Sequence, residues 1–154
     1  MSIEKVREYF RQFGMENRIL EPEMSSATVE LAAKALNCEP DRIAKSLSFK
    51  VNEKPVLILC SGESRIDNQK FKGIFKTKAK MLSPDEVGSL IGHEIGGVCP
   101  FGINEGVEVY LDNSLRRYNT IFPACGSSNS AIELTPDELV KFSNSLSWID
   151  VCKE

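Results

Sequence analysis

Apolar residues first recur at helical spacing at Ile3, Val6, Phe10 and Phe13, which predicts an amphipathic helix over residues 3–13, ended by Gly14. Ile19 and Leu20 suit a short strand. Ser25 or Ser26 can cap a second helix whose apolar face carries Val29, Ala32, Ala33 and Leu36, with Asn37 as its stop. From Lys45 to Val51 the period changes to two. Leu47, Phe49 and Val51 share one parity and Ser46, Ser48 and Lys50 the other, the pattern of a strand with one buried face. A hairpin through Asn52, Glu53 and Lys54 leads to Val56–Cys60, an unbroken apolar run that reads as a central strand and is closed by Gly62.

Further along, residues 67–73 read as a short helix and 79–82 as a strand. Ser83-Pro84-Asp85-Glu86 is a capping box with proline at the first helical position, opening a helix to about Leu90. A glycine-rich stretch runs from Gly92 to Gly102. Strands are expected at Val107–Leu111, Ile121–Cys125 and Ala131–Leu134. A second capping box, Thr135-Pro136-Asp137-Glu138, opens a helix to about Ser145, and Trp148–Val151 closes the chain as a strand. About seven strands mixed with four or five helices, in no regular βαβ alternation, predict an α+β or mixed α/β fold in one domain spanning residues 1–154. No GxGxxG follows a strand and no P-loop is present, so nucleotide-binding units of those kinds are not supported.

Composition narrows the picture. Apolar residues are 42% and charged residues 27% of 154, as in an ordinary globular chain. The longest apolar run is far short of the ~20 residues a membrane span needs, so no membrane partner is expected. The opening MSIEKVREYF lacks the apolar core of a signal peptide, which points to the cytoplasm. Five cysteines, an odd number without a CxxC pair, and one histidine argue for free thiols and against a zinc site; no cofactor is expected. A net charge of −3 is unlike a protein that grips long nucleic acid by its phosphates, so any RNA contact should be local. Lys70, Lys72, Lys76, Lys78 and Lys80 form the one dense basic stretch, either a solvated face or a phosphate contact.

Three features could carry chemistry. Lys45 falls on the apolar parity of its strand, which places it at the rim of the core, snorkelling to solvent, or inside a pocket. Gly96-Gly97-Val98-Cys99-Pro100-Phe101-Gly102 makes a shaped loop whose backbone N–H groups could bind a ligand's oxygens; a tight turn is the plainer reading. Gly126-Ser127-Ser128 is a second backbone clamp or a hairpin turn. Cys99 reads as a spectator, since no general base stands beside it in the chain. His93 reads as a solvent-facing or capping residue.

Taken in order, IAKSL at 43–47, GGVCPFG at 96–102, CGSS at 125–128 and IELTPDEL at 132–139 resemble the YbaK/EbsC family of trans-acting tRNA editing domains, which are similar to the editing domain inserted in bacterial prolyl-tRNA synthetases. The resemblance covers about Val6 to Val151. It implies a barrel-like mixed sheet flanked by helices and an aminoacyl-tRNA deacylase acting on the acceptor end of mischarged tRNA, with tRNA(Pro) as the expected carrier and prolyl-tRNA synthetase as a candidate partner. Lys45 matches the family's required lysine, which holds the terminal adenosine near the scissile ester. Gly96 and Pro100 match the ends of the GxxxP loop beside the aminoacyl carbonyl, and Gly126, followed by Ser127, matches the small residue of a third loop. The implied chemistry is substrate-assisted, with no protein nucleophile and no metal. Two departures, Thr28 near a place where cysteinyl-specific members carry an aromatic and Ser127-Ser128-Asn129 in place of glycine and basic residues, point to a more polar pocket for Ser, Thr or Ala. The rival reading is a non-catalytic module of this fold that binds aminoacyl ends or a synthetase.

Overall fold

The structure, a computed structural model, describes residues 2–154. Helix α1 (Ser2–Arg11) buries Ile3, Val6 and Phe10, while Phe13 lies beyond its end and is 44% exposed. Strand β1 (Ile19–Leu20) follows. Helix α2 (Val29–Leu36) is capped by Thr28, whose Oγ1 accepts the Leu31 N–H at 3.2 Å; neither Ser25 nor Ser26 caps it, because both belong to the loop tied to Ser128 O. Asn37 ends α2 in the left-handed conformation.

Strand β2 (Ile43–Val51) and strand β3 (Lys54–Ser61) form a hairpin in antiparallel register from Ala44↔Ser61 to Val51↔Lys54, with Asn52 and Glu53 at positive φ in the turn. Helix α3 (Asn68–Phe75) starts at Asp67, which accepts two backbone N–H groups. The expected strand at 79–82 is reduced to a single bridge, Met81↔Phe49, flanked by the Lys50 N–H to Lys80 O and Leu82 N–H to Ser48 O bonds. Leu82 is buried in the core while Lys80 and Met81 face solvent, so the segment runs along β2 as a short edge rather than as a full strand. Helix α4 (Pro84–Glu86) opens with the expected capping box and passes into a π-helical turn at Val87–Ile91.

Strand β4 (Glu108–Asp112), strand β5 (Phe122–Pro123), strand β6 (Ala131–Ile132), helix α5 (Pro136–Ser143) and strand β7 (Ser147–Ile149) complete the chain. The main sheet runs β5-β2-β3-β4-β7, with β2–β3 antiparallel and the other pairs parallel. The β1–β6 pair joins it through bridges at Ala124↔Ala131 and Ile121↔Leu134, so the sheet curls into half a barrel. β3 is covered on both faces. Leu57 and Leu59 pack with Val6, Phe10, Phe101 and Leu139, while Val56, Ile58 and Cys60 pack with Phe49, Phe71 and Val151. This double burial is why β3 reads as an unbroken apolar run while β2 alternates. All five cysteines are unpaired thiols, and no helix among the described residues is long and apolar enough to cross a membrane.

Glu138 links two ends of the fold. One oxygen accepts the Thr135 N–H at 2.9 Å in the α5 capping box, and the other meets Arg18 at 2.8 Å. The Arg18 guanidinium, helped by the Thr135 N–H and working against partial burial, lowers the Glu138 carboxyl from 4.5 to about 2. Because the folded value lies below the unfolded one, the stabilisation is complete above about pH 4.5 and is lost as pH falls through about 2. With the Arg18 side chain 44% exposed, screening holds the effect to about 1 kcal/mol or less. Urea midpoints measured between pH 5 and pH 2.5 should fall more for the wild type than for Glu138→Gln; parallel curves would remove this ion pair from the acid response.

Candidate active site

β5 pairs with β2 only at Ile43 and Ala44, and the 80–82 segment takes over at Ser48 and Lys50. Between them the edge of β2 faces a cavity of about 180 Å³ bounded by α2, β5 and the glycine-rich loop. Lys45 and Ser46, which point to opposite faces of the strand, both line it, because the cavity wraps the open edge rather than one face. Its apolar wall is Val29, Ala32, Leu36, Ile43, Phe122 and Ala124. Its polar groups come from Ser26, Thr28, Lys45, Ser46 and Ser130.

Lys45 is half-buried, so the pocket reading, not the solvent-snorkelling one, describes it. Its ammonium donates to Gly62 O at 3.1 Å and to Ser64 O. Two of its three N–H donors are thereby committed, leaving one for a ligand. The Ser26 and Ser46 hydroxyls are buried at the same cavity, and neither has a hydrogen-bond partner among the described residues.

The glycine-rich loop divides by parity. Gly96 and Val98 line the cavity, while Gly97, Cys99 and Phe101 turn inward. Phe101 is fully buried against Phe10, ring centroids 4.7 Å apart, and anchors the loop. Pro100 and Gly102 line a different groove, beside Tyr9. Gly97 lies directly on the third loop: a Cβ there would stand 2.5 Å from Gly126 C and Ser127 N, so only glycine permits the contact. Gly126 and Ser127 therefore shape the site from behind and open onto a neighbouring groove rather than onto the cavity itself. The Gly97 N–H is spent on Glu94 O at 3.1 Å. Thr28 sits at the cavity with its oxygen already engaged as the α2 cap.

His93 is not a solvent residue; it is 1% exposed. Its Nε2 lies 2.7 Å from Phe101 O and 3.5 Å from Cys99 Sγ, so folding supplies the histidine that the local sequence around Cys99 lacks. The pair is still unsuited to nucleophilic catalysis. A carbonyl oxygen only accepts, so Nε2 carries the proton and cannot receive one from the thiol. Burial pushes the Cys99 thiol up from 9.0 to about 12 and moves His93 downward. Cys99 is fully enclosed and donates to Phe101 O, away from the cavity.

Of the basic stretch, Lys70 is withdrawn: it pairs with Asp150 at 3.0 Å and donates to Cys152 O. Lys72, Lys76, Lys78 and Lys80 are exposed. Lys80 meets β2 at Lys50, five residues and about 16 Å along the strand from Lys45.

Sequence inspection singled out Lys45, Thr28, Gly96 and Val98, all of which meet at the cavity. It missed Ser26 and Ser46, as well as the apolar wall from α2 and β5. Ser46 carried no signal because its parity matched a solvated face; the missing β5 pairing is what admits it.

The aminoacyl-tRNA editing domain family matches residues 23–142. The uncharacterized protein YwhH of Bacillus subtilis (strain 168) is 56% identical over 155 residues, covering 100% of this chain and 99% of that protein. The proline–tRNA ligase of Bacillus cereus (strain AH820) is 30% identical over 102 residues, which are 66% of this chain and 18% of the ligase. A solved candidate trans-editing enzyme for prolyl tRNA synthetase superposes with a TM-score of 0.88 at 30% identity, covering 99% of this chain and 98% of that one. In sequence and in the curl of its sheet, the chain belongs to the aminoacyl-tRNA editing domain family.

Proposed function

We propose that this protein is a trans-acting deacylase that hydrolyses the ester of mischarged tRNA, with tRNA(Pro) carrying Ser, Thr, Ala or Cys as its substrates and the cytoplasm as its place of action. The observation that carries the reading is the meeting of Lys45, Gly96 and Val98 at one small cavity on the open edge of β2. A cavity of about 180 Å³ has room for a small amino-acid side chain.

In this reading the aminoacyl group enters the cavity and the terminal ribose lies at its mouth. The free N–H of the Lys45 ammonium holds the nucleotide end. Water adds to the carbonyl carbon, positioned by the neighbouring ribose hydroxyl. The backbone of Gly96 and Val98, which line the cavity, steadies the negative oxygen that forms. Collapse of the tetrahedral intermediate breaks the bond to the ribose oxygen, which takes up the proton the water loses, and the free amino acid leaves. No enzyme thiol takes part. Positioning of this kind supplies a large share of a barrier without a protein nucleophile. The unpartnered hydroxyls of Ser26 and Ser46 favour a substrate with its own hydroxyl, so Ser and Thr esters should outrun Ala and Cys esters.

The test is deacylation of tRNA(Pro) charged with Ser, Thr, Ala, Cys or Pro. The wild type should clear Ser and Thr fastest and spare Pro, by about 10-fold or more. Lys45→Ala should lose about 100-fold or more in turnover with an unchanged circular dichroism spectrum. Binding without turnover on every substrate would instead identify a non-catalytic module.

Cys99→Ala should keep turnover within about threefold of wild type, because the thiol is protonated and enclosed. A trapped thioester on Cys99, or complete loss of activity in a folded variant, would restore nucleophilic catalysis.

The exposed lysines supply a local phosphate contact. Replacing Lys76, Lys78 and Lys80 together with Ala should weaken tRNA binding and flatten a log–log salt plot by about 2 to 3, at roughly 0.7–0.9 per phosphate. Hydrolysis of a short aminoacyl-nucleotide mimic should be nearly unchanged. Wild-type affinity and slope in the triple variant would leave these residues a solvated face.

A further inference from the structure

The ammonium of Lys45 is held by a turn that a buried carboxylate builds. Asp41, in the 3₁₀ turn Pro40–Arg42 just before β2, is only 8% exposed. Its Oδ1 accepts the Glu63 N–H at 3.0 Å. Its Oδ2 accepts the Tyr118 hydroxyl at 2.8 Å and an Arg117 N–H at 3.2 Å. The peptide that Asp41 grips lies between Gly62 and Ser64, whose carbonyls receive the Lys45 ammonium.

Other contacts leave this turn little freedom. Ser64 N–H donates to Ser61 O at 3.0 Å, the Ser61 and Ser64 hydroxyls are 2.6 Å apart, and Ser61 N–H donates to Ser114 Oγ at 3.0 Å. A Cβ on Gly62 would stand 2.1 Å from Pro40 O, so the turn lies backbone to backbone on the segment that carries Asp41. Burial alone would raise the Asp41 carboxyl, but hydrogen bonds from Tyr118, Ser61 and the Glu63 N–H, with the Arg117 charge, bring it below its usual value. The acceptor is thus kept ionised and fully occupied by donors, a state suited to fixing backbone rather than to reacting.

We propose that Asp41 is a positioning residue for the reaction: by fixing the 62–64 turn through Glu63 N–H, it aims the Lys45 ammonium into the cavity. Asp41 touches no substrate; it acts through two backbone carbonyls. This inference rests on the deacylase reading for its kinetic consequence but not for its structural one, so its two readouts are separable.

The first readout needs no substrate. Acetylation of Lys45 by an N-hydroxysuccinimide ester, followed by mass spectrometry, reports how firmly its ammonium is held, with exposed Lys72 as the internal control. Asp41→Ala should raise the Lys45 rate several-fold and leave Lys72 unchanged. Asp41→Asn, which keeps an oxygen for Glu63 N–H, should restore most of the protection. Tyr118→Phe, which removes one outer hydrogen bond, should lie between them and serves if Asp41→Ala does not fold. Unchanged Lys45 labelling in the folded variants would overturn the proposal whether or not the protein deacylates tRNA.

The second readout is kinetic. Asp41→Ala should lower kcat by about 10- to 100-fold with little change in KM, Asp41→Asn should recover most of it, and in a Lys45→Ala background Asp41→Ala should add nothing. Additive losses would overturn the positioning role. A wild type inactive on every charged tRNA, with the labelling pattern as expected, would sink the deacylase reading and leave the Asp41–Lys45 linkage standing.

Discussion

The antiparallel register between β2 and β3 is the constraint on which the site depends. It places Lys45 opposite Cys60 and Ala44 opposite Ser61, so the strand end that carries the lysine meets the turn that begins where β3 stops. A slip of one residue would send Lys45 to the other face and leave the Gly62 and Ser64 carbonyls without their partner. The register is held because β3 is buried on both faces: Val56, Ile58 and Cys60 cannot exchange places with Leu57 and Leu59 without undoing two cores at once. A left-handed two-residue turn at Asn52-Glu53 sets the same register from the other end.

Around that fixed hairpin the cavity is assembled from loops far apart in the chain, and they meet through backbone rather than side chains. Gly97 lies on Gly126 and Ser127, and Ser128 O ties down the Ser26 N–H. Phe101 and Cys99 anchor the glycine-rich loop in the core, which turns Gly96 and Val98 outward. The Cys99–His93 contact, which by composition resembles catalytic machinery, belongs to this anchoring. The proton on Nε2 is committed to Phe101 O, and burial keeps the thiol protonated. A reactive cysteine needs the opposite surroundings, electropositive and partly exposed.

The charge distribution fits a ligand engaged at one end only. The chain is net negative, and its basic stretch loses Lys70 to Asp150, leaving Lys72, Lys76, Lys78 and Lys80 exposed. That is enough for a few phosphates, not for a duplex tracked along its length. At the cavity the ammonium of Lys45 is already two-thirds committed to carbonyls, so it works as a fixed donor rather than as a mobile charge.

Much of this was legible in the sequence because it follows from local rules. The capping boxes at Ser83 and Thr135 formed as written, the change of period at Lys45–Val51 located β2, and the position of Lys45 on the apolar parity marked it as unusual before any fold was known. The order of the IAKSL, GGVCPFG and CGSS segments pointed to the editing-domain family. What tertiary structure decided was everything that depends on which edges are left unpaired and which backbones touch. Ser46 became a cavity residue because β5 stops pairing after Ala44. The 79–82 strand dwindled to one bridge, with Leu82 turned into the core and Lys80 and Met81 left at the surface. His93 moved from expected surface to core, and Thr28 displaced Ser25 and Ser26 as the α2 cap once those serines were bound to the loop at Ser128. Periodicity and capping act over a few residues and can be read in order along the chain. The cavity depends on contacts between segments as distant as Gly97 and Gly126 or Lys45 and Ser64, and those exist only once the sheet has curled.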